Sequence, residues 1–430
     1  MRKKSLNLIT LGCSKNLVDS ERILGQLSSK KFKISHDASG SADIVLINTC
    51  GFIKDAKQES IDTILEYVNA KKNGLVGQVV VFGCLSERYQ ADLQKEIPEV
   101  DAWFGAREPI GMFEFLTEKF DSGCGLRHQT TPSHFAYLKI SEGCDRACSF
   151  CAIPMIRGEY RSRTIESLVE EAKMLSGNGV KELLVIAQDI SYYGLDLGNQ
   201  QLLGPLLEEL VKIDGIEWIR LHYGYPKNFP PDVIDLMASQ PKICQYLDIP
   251  IQHINDRILK MMRRGHTKEE TLQLIADLRT KVPDIAIRTT MMVGFPGETA
   301  SEFEEMLEFV KEARIDRLGV FTYSPEEGTQ ANLLKDNISE KEKQRRANVL
   351  MALQEQISLE KNLQKVGRNY KVMIDRKEGN FFAGRTEYDS PEVDNEVFIE
   401  DHPDILLGEF VDVCITSASE FEIFGKIAEN

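Results

Sequence analysis

Residues 144–151 read Cys-Asp-Arg-Ala-Cys-Ser-Phe-Cys, three thiols at Cys-x3-Cys-x2-Cys spacing. This string constrains the surrounding fold, because all three sulfurs must face one inorganic group. It follows a short apolar run, Tyr137–Ile140, that reads as a strand. Iron–sulfur clusters are held by cysteine thiolates, usually four of them. Here the run supplies three, and the next cysteine is Cys244. A 4Fe–4S cluster bound this way keeps one iron open for a substrate or cofactor. A structural zinc site needs a fourth ligand close by. No His or Cys stands within a few residues on either side, so the cluster reading is the stronger one.

Upstream, residues 1–133 alternate between strand and helix patterns. Leu6–Leu11 is a short apolar strand, and Leu17, Ile23, Leu24 and Leu27 mark a helix. Ile44–Ile47 is a second strand, ending in Asn-Thr-Cys50-Gly, and Ile61, Ile64, Leu65 and Val68 share a helix face. Val79–Phe82 is a third strand, ending in Gly83-Cys84. Alternation of this kind argues for an α/β unit with a parallel sheet covered by helices. Cys13, Cys50 and Cys84 each lie just past a strand end, beside Gly12, Gly51 and Gly83. Strand ends in an open parallel sheet share one edge, where ligands bind. Three thiols distant in sequence therefore converge, and glycine lets the backbone approach a bulky group. A single such cysteine would read as a buried core residue; three in one context favour a second three-thiol cluster site.

Residues 134–364 continue the alternation. Strand patterns at Tyr137–Ile140, Glu182–Ile186, Trp218–Leu221, Tyr246–Ile251, Ile285–Met292 and Leu318–Phe321 are separated by helical segments. About six such units form an incomplete (β/α) barrel, whose chemistry sits at the carboxyl ends of the strands. Gln188-Asp189 and Gln252-His253 stand at such ends, and Arg288 lies in a strand leading to Gly294-Phe-Pro-Gly-Glu298. His253 reads as a hydrogen-bonded core residue and Pro-Gly as a turn. Arg157, Arg161 and Arg163 fit either an anion contact or substrate channel or a solvated basic face before the next helix, the solvated face slightly preferred. Cys124, Cys244 and Cys414 lack partners at ligand spacing and read as small buried residues.

The Cys144–Cys151 string resembles the signature of radical S-adenosylmethionine (SAM) enzymes. Cys13, Cys50 and Cys84 resemble the cluster ligands in the N-terminal domain of the methylthiotransferase family, which adds a methylthio group at an unactivated C–H bond. The segment Leu11-Gly-Cys-Ser-Lys-Asn-Leu-Val-Asp-Ser-Glu21 is nearer the branch that modifies an aspartate of ribosomal small-subunit protein S-twelve. The tRNA-modifying branch typically reads Gly-Cys-Gln-Met-Asn there; this chain has Ser14-Lys15-Asn16. The likeness covers essentially the whole chain. It implies a methylthiotransferase domain over 1–133 with the first cluster, a radical SAM core over 134–364, and a small OB-like β-barrel, the TRAM domain, over 365–430. It implies two 4Fe–4S clusters plus SAM as cofactors, with no catalytic residue beyond the cluster ligands and with flavodoxin or ferredoxin as electron donor. The SAM carboxylate is expected on Arg288, since Arg offers paired donors in a fixed plane; the alternative for Arg288 is an ion pair with Asp248. Ribose or methionine contacts are expected from Gln188, and Phe150 is expected to flank the adenine.

Five short strand patterns end the chain, after a helix announced by Ser339-Glu-Lys-Glu342. Residues 365–430 carry 7 Lys and Arg against 15 Asp and Glu, a net charge of −8. A domain that tracks a phosphate backbone should be basic. This one is expected to dock on a basic ribosomal protein and not to bind RNA directly, with Glu387, Asp389, Glu392 and Asp394 as candidate docking residues. No apolar run reaches the length of a membrane span. Nine cysteines without disulfide spacing fit a reducing compartment, the cytoplasm. Two other functions stay open: tRNA methylthiotransfer by the same chemistry, and a non-catalytic iron–sulfur carrier or redox sensor.

Overall fold

The computed structural model describes residues 3–27, 31–107, 109–120 and 126–428; Cys124, expected as a buried core residue, lies outside them. The first unit comprises β1 (Lys4–Thr10), α1 (Ser14–Gln26), β2 (Phe32–His36), β3 (Ala42–Thr49), α2 (Lys54–Lys72), β4 (Val76–Gly83), α3 (Cys84–Glu96), β5 (Ala102–Trp103) and α4 (Pro109–Phe115). Its strands form a parallel sheet in the order β2-β1-β3-β4-β5. The central strands are apolar on both faces because both are covered. Leu46 and Val80 meet α1 and α4, while Val45 and Val79 meet α2 and α3. The edge strands β2 and β5 escape the sequence pattern, one being half polar and the other two residues long. This strand order reverses direction between β1 and β3, the switch point at which open α/β sheets leave a crevice.

The second unit comprises β6 (Phe135–Lys139), β7 (Ser141–Glu142), α5 (Ile153–Arg157), β8 (Arg161–Ser162), α6 (Ile165–Gly177), β9 (Glu182–Ile186), α7 (Leu195–Gly198), α8 (Leu203–Leu210), β10 (Trp218–Leu221), α9 (Pro231–Ser239), β11 (Ile243–Asp248), α10 (Asp256–Met261), α11 (Lys268–Lys281), β12 (Ala286–Val293), α12 (Ala300–Ala313), β13 (Arg317–Thr322) and α13 (Glu340–Leu363). Six strands form a parallel sheet in the order β13-β12-β11-β10-β9-β6. Its outward residues, among them Leu183, Ile219, Leu247 and Ile287, form one core with the surrounding helices. The short antiparallel pair β7–β8 closes the base of the Cys144 loop. Ser339 caps α13, its side chain accepting from the Glu342 N–H.

The third unit is a closed five-stranded barrel of β14 (Asn369–Glu378), β15 (Phe381–Arg385), β16 (Glu396–Glu400), β17 (Phe410–Ala418) and β18 (Glu422–Ile427). Its β15–β16 connection reaches under the six-stranded sheet, near the amino ends of the strands. Arg317 on β13 holds Asp389 through a 3.0 Å Nε–Oδ1 bond, and Arg288 Nε lies 3.4 Å from Asp394. Tyr246 donates to Asp394 at 2.8 Å, and Arg385 meets Glu182 of β9 at 2.5 Å. Two of the four candidate docking acids are therefore misread. Asp389 and the Asp394 carboxylate are 0 % exposed and serve as counter-ions inside the fold. Cys244 is fully buried and Cys414 only half-buried. Among the described residues no helix is long and apolar enough to cross a membrane.

Burial, above all, holds the imidazoles of His253 and His266 down at about 4. An unfolded chain titrates histidine near pH 6.5. Between those values the unfolded state binds more protons, so stability falls as pH drops. Each histidine should remove about 2 kcal/mol between pH 7 and pH 5. Urea-unfolding midpoints at the two pH values measure this loss, and His266→Gln should recover its share. A midpoint equal at both pH values in wild type and variant would refute it.

Candidate functional site

The two cysteine sets are built by different local devices. Cys13, Cys50 and Cys84 follow β1, β3 and β4, and the first two flank the switch point. Cys13 is exposed at the start of α1; Cys50 and Cys84 are buried. The glycines beside them pack protein against protein. A Cβ at Gly12, whose φ is +91°, would lie 2.7 Å from Cys50 Cβ, and one at Gly51 would lie 2.7 Å from Leu85 backbone. So glycine draws the three loops together, where the sequence expectation was room for a cluster. Asn16 ties them further, its Nδ2 donating to Leu11 O at 2.8 Å and Thr49 O at 3.2 Å. Burial first, and then the charges of Cys13 and Cys84, push the Cys50 thiol up to about 11 against a hydrogen bond from Phe52.

Cys144, Cys148 and Cys151 lie on one folded loop. Cys144 N donates to Gly158 O at 3.1 Å, and Cys151 N to Cys148 O at 3.2 Å. Gly143 has φ +79°, and a Cβ there would lie 2.0 Å from Glu159 O, so the loop closes only with glycine. Burial pushes the Cys144 and Cys151 thiols up to about 12. A metal group must displace those protons, since thiolate is the ligand. Arg264, 6 % exposed, points Nη1 at Cys148 Sγ from 3.4 Å and stacks over Tyr225 at 4.3 Å. Among the described residues neither set closes around a single-ion site. Three convergent thiols without a fourth protein ligand, and a buried guanidinium beside one of them, fit a cluster that leaves one iron open.

A polar bridge joins the two sets. Arg157, at the end of α5 and 5 % exposed, sends Nη1 to Asp19 Oδ2 at 2.6 Å and Glu142 Oε2 at 3.3 Å. Its Nη2 meets Asn16 Oδ1 and lies 3.3 Å from Cys84 Sγ. Lys139 pairs with the same two carboxylates, Asp19 and Glu142. Burial works to raise the Glu142 carboxyl, but Lys139 and then Arg157 hold it down at about 2, fully ionised at neutral pH. A cleft of about 970 Å³ opens here, lined by Asp19, Lys139, Cys144, Arg146 and Arg157 among others. The expected solvated face of Arg157–Arg163 is thus overturned for Arg157, and Arg163 is bonded to Glu171 at 2.6 Å; Arg161 is exposed. The signal available in sequence was only that Arg157 closes the cysteine loop.

Gln188, after β9, donates Nε2 to Glu142 Oε1 at 2.8 Å, and its Oε1 is buried without a partner among the described residues. It thus keeps an acceptor free beside the Cys144 loop. Phe150 is half-buried against Ile258, Met262, Phe295 and Tyr323. Arg288 requires a correction. Its guanidinium pairs with Asp248 at 3.1 Å and Asp394 at 3.4 Å, beneath the sheet and toward the β-barrel. The ion-pair alternative therefore holds in place of a SAM carboxylate contact. His253 is fully buried, Nδ1 accepting from Asn255 N at 3.0 Å, as a core residue should be.

The chain matches the Radical SAM superfamily over residues 138–310, the family described as Uncharacterized protein family UPF0004 over 5–105, and the TRAM domain over 366–428. It is 54 % identical to the ribosomal protein uS12 methylthiotransferase RimO of Christiangramia forsetii, over 99 % of this chain and 95 % of that one. It is 49 % identical to the protein of the same name from Bacteroides fragilis, over 99 % and 100 % of the two chains. Among solved structures, the radical SAM methyltransferase TsrM from Kitasatospora setae, with cobalamin and a 4Fe–4S cluster bound, aligns with a TM-score of 0.55. That match covers 75 % of each chain at 15 % identity and shows likeness of fold alone.

Proposed function

The chain belongs to the family of ribosomal protein uS12 methylthiotransferases named RimO, and on that premise we propose that its two cysteine sets hold two 4Fe–4S clusters serving one reaction. It is a radical SAM methylthiotransferase acting on ribosomal protein uS12. We assign one cluster to Cys13, Cys50 and Cys84, the other to Cys144, Cys148 and Cys151, and the acceptor to the β-carbon of an aspartate. The observation that carries this assignment is the Arg157 bridge, which reaches from the loop of one set to Cys84 of the other.

A β-methylene has no proton acidic enough for a base, so the bound clusters and SAM supply the radical chemistry and the sulfur. What the chain supplies is position. Arg157, Lys139, Asp19 and Glu142 fix the cysteine loop against the first unit with charge-assisted bonds. Gln188, fixed by Glu142, presents its free carbonyl to the ribose or methionine part of SAM, and Phe150 backs the adenine side.

Substrate choice follows from charge. In the tail, Lys371 pairs with Glu217, Arg376 with Glu396, Lys377 with Asp401, Arg385 with Glu182 and Lys365 with Asp389. Five of its seven cations are thereby neutralised. This supports docking on a basic protein over tracking of RNA. We place the enzyme in the cytoplasm, with a small flavin or iron–sulfur protein as reductant. Incubating reconstituted enzyme with SAM, reductant, uS12 and bulk tRNA tests the reading. Mass spectrometry should find the methylthio group on the uS12 aspartate and none on tRNA. Methylthio-adenosine in tRNA with unmodified uS12 would overturn it.

A further inference from the structure

The site holds several buried or half-buried cations, and among the described residues all but one have a matched anion or acceptor. Lys139 and Arg157 hold Asp19 and Glu142, Arg146 holds Asp189 at 2.8 Å, and Arg264 is met by Pro250 O and the Cys148 thiol. Lys15 is different. It is 8 % exposed, and among the described residues it pairs with no carboxylate; its Nζ lies 2.9 Å from the centroid of the Tyr223 ring. An aromatic face attracts a cation but does not neutralise it. A buried charge without a counter-ion is costly. Among the described residues the side chain of Lys15 has an aromatic face but no carboxylate beside it.

Its position says where a counter-ion can come from. Lys15 stands in the first turn of α1, two residues after Cys13 and next to Asn16, whose side chain meets Arg157 and lies 3.6 Å from Cys84 Sγ. Tyr223 follows β10, at the carboxyl end of the six-stranded sheet, and its carbonyl accepts from Ile190 N at 3.1 Å. Tyr223 has φ +64°, a conformation that costs a bulky residue and holds its ring under the ammonium. The ammonium is thus clamped between the first cysteine set and the strand-end side of the second unit.

We propose that Lys15 is a specificity-determining residue that receives the side-chain carboxylate of the acceptor aspartate, supplying its counter-ion and orienting the β-carbon between the two cysteine sets. This rests on the aspartate reading above and gives it a residue. A neutral base offers no anion to this position, so the same lysine disfavours a nucleobase.

The test uses full-length reconstituted enzyme and uS12 carrying either Asp or Asn at the acceptor position, with affinity measured anaerobically. Wild type should bind the Asp form at least about tenfold more tightly, the usual minimum for a desolvated charge pair. Lys15→Met should bind both forms alike, at the level of the Asn form, with the iron content of wild type. Lys15→Arg should restore most of the preference. The inference is overturned if Lys15→Met still prefers Asp, or if it loses iron together with the preference, since Lys15 would then serve the cluster. Equal binding of both forms by wild type that modifies uS12 sinks this inference alone. Modification of tRNA in place of uS12 sinks the reading beneath it.

Discussion

Replacing Cys144, Cys148 and Cys151 together with Ala should leave about half of the iron bound after anaerobic reconstitution and abolish reductive cleavage of SAM. On the assignment proposed above each thiol is a ligand, and the loop holds no spare cysteine to replace it. Among the described residues the second unit's other cysteine, Cys244, is fully buried and has no part in the loop. The loss should be of function more than of fold. The loop is held by backbone bonds from Cys144 and Cys151 and by the β7–β8 pair, none of which needs a sulfur. Iron analysis, the absorbance of the reduced and oxidised protein, and release of 5′-deoxyadenosine are the measurements. Full iron content in the triple variant would sink the assignment of this cluster.

Replacing Cys13, Cys50 and Cys84 with Ala should split the reaction in the opposite place. SAM cleavage should survive, because the Cys144 loop and Arg264 are untouched, while methylthiolated uS12 should disappear. On the proposed assignment the effect on product should approach complete loss, since these three thiols are the ligands given to the sulfur-presenting cluster. Two of the three thiols are buried, so part of any change can come from packing. Ser variants, closer in volume, separate that contribution: both series should lack product, and both should lose about half of the iron. Product formed at the wild-type rate would return these residues to ordinary core cysteines.

Much of the site was legible because its signals are local. The Cys-x3-Cys-x2-Cys spacing lies within one loop, and each of Cys13, Cys50 and Cys84 sits beside a glycine at the end of an apolar run. Those runs form β1, β3 and β4 and share one edge. The short edge strands β2 and β5 were not legible, because two to five half-polar residues carry no clear period. Arg157 was misread for a related reason. Its partners Asp19 and Cys84 lie 138 and 73 residues away in the chain, so its three-arginine neighbourhood looked like a solvated surface. Arg288 was misread because one of its partners, Asp394, comes from the β-barrel unit.

By itself the sequence determined the order of α/β, α/β and β units, and it picked out the two three-cysteine sets proposed above as cluster sites. These follow from residue type and spacing, which are properties of short stretches. Only the tertiary structure decided how the charged side chains are used. It placed Asp389 and Asp394 as buried counter-ions where composition counted them as an acidic surface. It turned Arg157 into a bridge between the cysteine sets and set Lys15 over Tyr223, with no carboxylate partner among the described residues. The physical reason is that a charge acts through whatever lies within a few ångströms, and in this fold those neighbours come from other units of the chain.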